Sequence, residues 1–165
     1  MAKPNDAEVI SVPNLLQAKV GGPISQADMH MIEKAEEALK DLRADFGQWL
    51  EEEVVKLEAA AKIVRETGLK GEEGEELFIR AHDLRGLGTT YEFPIVTRLA
   101  KSLTKMIDMS EKRQKAPTAL ALAHVGAIRA ALSQNIRDDN DPVAAALAGE
   151  LETQTTAFAE PWKDD

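Results

Sequence analysis

The sequence predicts an all-α protein, an up-and-down antiparallel four-helix bundle with additional terminal helices. Three observations carry this. Ala, Leu, Glu, Lys and Arg dominate, while strand-forming runs of Val, Ile, Thr and Tyr are nearly absent and aromatics make up only 4% of the chain. Apolar residues recur at spacings of three and four, the period of a helix with one buried face. Segments of about twenty residues are joined by short connections rich in Gly and Pro, which makes sequence neighbours antiparallel. At 165 residues and 44% hydrophobic content the chain has enough apolar material for one core.

The elements follow in order. Residues 1–25 hold Pro4, Pro13, Pro23 and Gly21-Gly22 and read as an irregular arm. Ser25 and Asp28 form a capping-box pattern that opens a helix running to Thr67, with Gly68 as its stop and a break expected near Gly47. Glu72, Glu73, Glu75 and Glu76 suit the start of a second helix ending near Tyr91. Pro94 opens a third helix to about Lys112, and a fourth spans about Pro117 to Arg137. In the fourth, Gly126 and the alanines 123, 127 and 131 suggest close backbone approach. Asp141-Pro142 is a cap and first-position pair for a last helix that ends before Pro161. The resulting organisation is an arm over 1–25, a bundle over 26–140, and a helix with a tail over 141–165, packed on or beside the bundle.

Twenty basic against twenty-nine acidic residues leave a net charge of -9, which argues against nucleic acid or an anionic membrane as principal partner. The balance is uneven: residues 79–115 hold eight Lys or Arg and four acids. The absence of cysteine rules out disulfides, thiolate metal sites and a cysteine nucleophile. The Met-Ala-Lys-Pro-Asn-Asp start has no apolar signal-peptide core, and no apolar stretch is long enough to span a bilayer, so a cytoplasmic location is expected.

His82 is the most informative residue. At about 100° per residue, Leu77, Ala81, Leu84, Gly88 and Tyr91 share one helix face, and His82 points about 145° from its centre. Around it on the outer surface lie Phe78, Ile79, Arg85, Gly86 and Thr89. Gly86, one turn on, leaves space beside the imidazole. Arg85 offers charge to an anionic group. Phe78 and Ile79 are apolar on a face where water alone would favour polar residues.

The run Ala81-His82-Asp83-Leu84-Arg85-Gly86, followed by Gly88, resembles the motif of the histidine-containing phosphotransfer (HPt) domain, a four-helix bundle of bacterial multistep phosphorelays. The motif likeness covers about 77–103, and the helix layout is compatible over about 26–140. It implies that His82 accepts a phosphoryl group from a response-regulator aspartate and passes it to another receiver. Arg85 then stands at the position of the family's lysine as the phosphate's charge partner, and Gly86 gives clearance. Two positions depart from the family: Arg85 changes the shape of the cation, and Glu92 stands where many members have a glycine after the helix.

The resemblance implies receiver domains and a hybrid sensor kinase as partners. It also implies no cofactor in this chain, with Mg expected on the receiver. The docking surface is expected to comprise Phe78, Ile79 and Thr89 together with Arg98, Lys101 and Lys105, which with Lys112 form a cationic stripe on the third helix. The same stripe is equally explained as a solvated face paired with acids of the first helix. A monomer is the default for one core, although a continuous 26–67 helix leaves room for pairing with a second copy. The other histidines lack this setting: His124 shares an apolar face and is expected to be packed, and His30 to be partly buried. The rival functional reading is a helical adaptor or sequestering protein that binds a receiver without accepting phosphate. The chain lacks the glycine-rich boxes and the length of a separate ATP-binding domain, so it reads as a carrier and not a kinase.

Overall fold

A computed structural model describes Gly22 and residues 25–162. The expected irregular arm therefore lies almost entirely outside the described residues. Every regular element among them is helical: α1 Gln26–Thr67, α2 Gly71–Thr90, α3 Pro94–Ile107, α4 Ser110–Lys115, α5 Thr118–Ser133, α6 Pro142–Ala159 and a 3-10 turn Glu160–Trp162. The described residues fall into two units that meet in sequence between Lys40 and Asp41. In the first unit, Ser25 and Asp28 form the expected capping box: the Asp28 carboxylate accepts from the Ser25 amide at 2.9 Å and the Asp28 amide donates to Ser25 Oγ at 3.2 Å. Residues 26–40 are exposed throughout.

The second unit is a mostly up-and-down helical bundle organised around α3, which packs against α2, α4, α5 and α6. Ile95, Leu103, Met106 and Ile107 of α3 join Leu50, Val54, Leu57 and Val64 of α1, Leu77 and Leu84 of α2, and Ile128 of α5 in one core. Arg129 on α5 reaches both Glu51 and Glu58 of α1, at 2.6 and 2.5 Å, and ties these helices along their rim. The last helix is capped as its sequence indicates, Asp141 accepting from the amides of Val143 and Ala144.

Four local expectations are corrected. No break occurs at Gly47. Phe46 and Trp49 on either side pack against Tyr91, with ring centroids 5.4 and 5.9 Å away, and carry the helix through. The third helix stops at Ile107, and Met109 adopts an extended conformation before α4 begins. Arg113 accounts for the stop, because its guanidinium donates to the buried carbonyl of Ile107 at 2.8 Å, an acceptor that the helix end leaves without an intrahelical partner. The fourth helix ends at Ser133, where Asn135 turns to φ +53° and the following loop lets Arg137 O accept from the Ile95 amide. Gly126 is exposed, and a β-carbon added to it would meet nothing within 4 Å, so it is not a point of close approach.

Close approach occurs instead at Gly74 and Gly88. A Cβ on Gly88 would lie 2.6 Å from both the amide nitrogen and Oγ1 of Thr97, and one on Gly74 would collide with the Leu69 carbonyl. Gly88→Ala and Gly74→Ala are each expected to lower stability by more than about 2 kcal/mol, the overpacking range. Gly126→Ala is expected to raise it by about 0.5–1 kcal/mol, because a helical glycine with free space around it is replaced by a better helix former. Urea unfolding of the three variants checks this contrast, and equal effects would contradict the assigned contacts.

Candidate functional site

The inward stripe of α2 places the candidate residues. Leu77, Ala81 and Leu84 have no solvent exposure and Gly88 is buried against α3, so the opposite face turns outward. His82 is exposed on that face. The Phe78 ring, half-buried and packed on the core, lies 5.9 Å from the imidazole centroid, inside the range of tilted aromatic contacts. Ile79 is 42% exposed and Arg85 and Gly86 are exposed beside it. A methyl group on Gly86 would meet nothing within 4 Å. Glycine inside a helix costs about 0.5–1 kcal/mol relative to alanine, and no packing among the described residues compensates. No contact among the described residues accounts for a glycine at position 86.

Thr89, the remaining docking residue on α2, is engaged with α3. Its amide donates to Thr97 Oγ1 at 2.8 Å and its hydroxyl donates to the same oxygen at 3.0 Å. Just beyond, Glu92 sits at φ +63°, the left-handed conformation that usually falls to glycine at a helix end. Its amide donates to Thr89 O and the Phe93 amide to Gly88 O, closing the helix. Its carboxylate pairs with Arg43 at 3.0 Å and Arg137 at 3.2 Å, contacts that hold a non-glycine residue in this strained conformation.

The cationic stripe is divided by the fold. Arg98 donates from Nε and Nη2 to Glu152 on α6, at 2.8 and 2.7 Å, and from Nη1 to Asp139 at 2.9 Å. Those carboxylates hold its guanidinium charged, and Arg98 in turn lowers the Glu152 carboxyl below its ordinary value. The pairing acids lie on and before α6, not on the first helix. Lys112 is displaced from the stripe by the end of α3 and is buried with its ammonium on Asp108 at 2.9 Å. Lys101 and Lys105 remain, exposed and without an ion pair among the described residues. With Arg85, Phe78, Thr104 and Asp108 they line a groove of about 280 Å³ between α2 and α3.

His124 is fully buried, as its face suggested, in a network the sequence did not reveal. Its Nδ1 lies 2.8 Å from Leu120 O; a carbonyl only accepts, so this nitrogen carries the proton. Nε2 is thereby left to accept from Ser102 Oγ at 2.9 Å, and Thr155 Oγ1 completes the triangle, 3.1 Å from Ser102 Oγ. Their hydroxyls are short polar groups on otherwise apolar faces, and that was the available signal. His30 is exposed, not partly buried, like all of residues 26–40. No helix among the described residues is long and apolar enough to cross a membrane. No cluster of three or more His, Asp or Glu among them is arranged to hold a metal ion. Comparison of the chain with protein-family models, curated proteins and solved structures gives no match.

Burial pushes the His124 imidazole below the ordinary histidine value, against the opposing effects of the Leu120 hydrogen bond and the Glu152 charge. The unfolded chain thus binds this proton first. The stabilising contribution is complete above about pH 6.5 and is lost as the pH falls from there through the lower folded-state value. Wild type is expected to unfold at lower urea concentration at pH 5.5 than at pH 7.5. His124→Gln is expected to shrink that difference, and an unchanged difference would contradict the assignment.

Proposed function

We propose that this chain is a histidine phosphotransfer protein of the HPt type, accepting a phosphoryl group on His82 from a receiver aspartate and returning it to another receiver. The observation that carries the reading is the open space at Gly86 beside an exposed imidazole in the middle of a rigid helix. The Ala81–Gly86 motif supports it, as does the surrounding surface: Phe78 and Ile79 supply an apolar rim, and Arg85, Lys101 and Lys105 supply positive charge to an acidic partner.

In the transfer, the lone pair of a neutral imidazole nitrogen forms the N–P bond as the P–O bond to aspartate breaks in line, and the aspartate departs as a carboxylate. The ring's second nitrogen then gives its proton to water, which discharges the imidazolium. This chain supplies the nucleophile, its clearance and a cation at Arg85. The receiver supplies the acidic pocket and Mg. A protonated imidazole has no lone pair to offer, so acceptance declines as the ring takes up a proton.

Glu92 at φ +63° removes the difficulty of the missing glycine, since the backbone conformation is present with a different residue in it. Arg98 is spent on Glu152 and Asp139, so docking charge is assigned to Arg85, Lys101 and Lys105.

Transfer from a phosphorylated receiver tests the proposal. Label is expected on wild type and not on His82→Gln. Gly86→Ala is expected to fold with equal or greater stability yet to accept phosphate at least tenfold more slowly. Lys101→Glu with Lys105→Glu is expected to slow association most at low salt. Equal labelling of wild type and His82→Gln would overturn the assignment. Tight binding of a receiver with no label on either protein would favour an adaptor.

A further inference from the structure

α1 is one continuous helix from Gln26 to Thr67, and along it runs an apolar stripe outside the core. Ile32, Ala35, Leu39, Leu42, Phe46 and Trp49 follow one another at spacings of three, four, three, four and three. That alternation keeps the a and d positions of a heptad on one seam. Ala35 is exposed, and Ile32, Leu39, Leu42 and Trp49 are each at least 40% exposed. Charged residues bound the stripe, with Asp28 at the preceding d position and Glu53 at the following a position. From Ile32 to Trp49 it runs about 26 Å at 1.5 Å per residue.

Residues 26–40 are helical yet exposed throughout, and a helical stretch of that length is marginal in water on propensity alone. A contiguous apolar surface facing water marks a contact site. We propose that this stripe is a self-association surface, at which α1 pairs with α1 of a second copy as an antiparallel coiled coil. The pairing goes beyond the phosphotransfer reading and does not depend on it.

The sequence of the seam selects both the occupant and its direction. A twofold axis between Lys40 and Asp41 sets Leu39 against the second copy's Leu42, Ala35 against its Phe46 and Ile32 against its Trp49. The smallest side chain then faces a ring, as close packing requires. Glu36 and Arg43 hold the e positions beside the seam, and in this register Glu36 falls opposite the second copy's Arg43, twice by symmetry. Arg43 holds Glu92 within the chain but keeps most of its side chain exposed. A parallel pair in register would set Ala35 against Ala35, leaving a gap, and Glu36 beside Met31, with no charge pair across the seam. An antiparallel pair slid by one heptad would set Glu36 against Glu36 and Asp28 against Phe46.

Sedimentation equilibrium of the full chain over roughly 1–100 μM tests the proposal. The expected mass is twice the 18.0 kDa of one chain. Leu39→Glu with Leu42→Glu puts charge in the two central layers and is expected to weaken association at least a hundredfold; both side chains are exposed in the single chain, so its core is untouched. Val55→Glu, an exposed apolar position of α1 off the seam, is expected to leave the dimer intact. Glu36→Arg is expected to weaken it roughly three- to tenfold, as loss of two exposed ion pairs allows. Because the chain has no cysteine, Ile32→Cys reads the direction: in the antiparallel pair its thiols are far apart and no disulfide links the copies. A wild-type monomer across this range, a dimer that survives Leu39→Glu with Leu42→Glu, or ready cross-linking of Ile32→Cys would each overturn the proposal.

Discussion

The contact of α2 with α3 at Gly88 governs the placement of everything on the outer surface of α2. The helices approach so closely there that the position of a β-carbon would be 2.6 Å from the Thr97 amide. Thr97 Oγ1 then accepts from both the amide and the hydroxyl of Thr89, fastening the end of one helix to the start of the next. Once this register is set, Leu77, Ala81 and Leu84 must face the core, and residues on the far side must face water. The outward presentation of His82 is a consequence of packing on the opposite face, with no device of its own.

Much of this is legible in the sequence because the signals are local. A capping box at Ser25 and Asp28, a left-handed stop at Gly68 with φ +82°, and the Asp141 cap all act within a few residues of where they are written. The apolar stripe of α2 is equally local, and so is the exposure of His82. What was not legible depends on distant partners. Glu92 adopts a glycine-like conformation because Arg43 and Arg137, 49 and 45 residues away along the chain, hold its carboxylate. The end of α3 depends on where a buried Arg113 finds an acceptor. The Ser102, His124 and Thr155 triangle joins three helices whose register no pattern of hydrophobicity specifies.

The same distinction separates the cations. A row of basic residues along one helix reads as a single surface, yet tertiary partners sort it into different kinds. Arg98 is locked to α6 by Glu152 and Asp139, and Lys112 is buried with Asp108. Lys101 and Lys105 stay without an ion pair among the described residues of a strongly acidic chain, next to Arg85 and a groove. Paired charge contributes to holding the bundle together, modestly where exposed. Unpaired charge of the minority sign is what a negatively charged partner meets, and here it is gathered on the side of the bundle that carries the proposed nucleophile.

On the proposed reading, the setting of His82, and not its exposure alone, makes it the nucleophile, and the chain contains its own control. His30 is also exposed but has Glu33 4.0 Å from its ring and, one turn on, Lys34 where His82 has Gly86. The most direct measurement is nitrogen- and phosphorus-resolved NMR of the intact protein after exposure to phosphoramidate, assigning the N–P bond among His30, His82 and His124. One phosphohistidine is expected, at His82, with His30 and His124 unmodified. Labelling of His30 at a rate comparable to His82, or no N–P bond at His82, would contradict it.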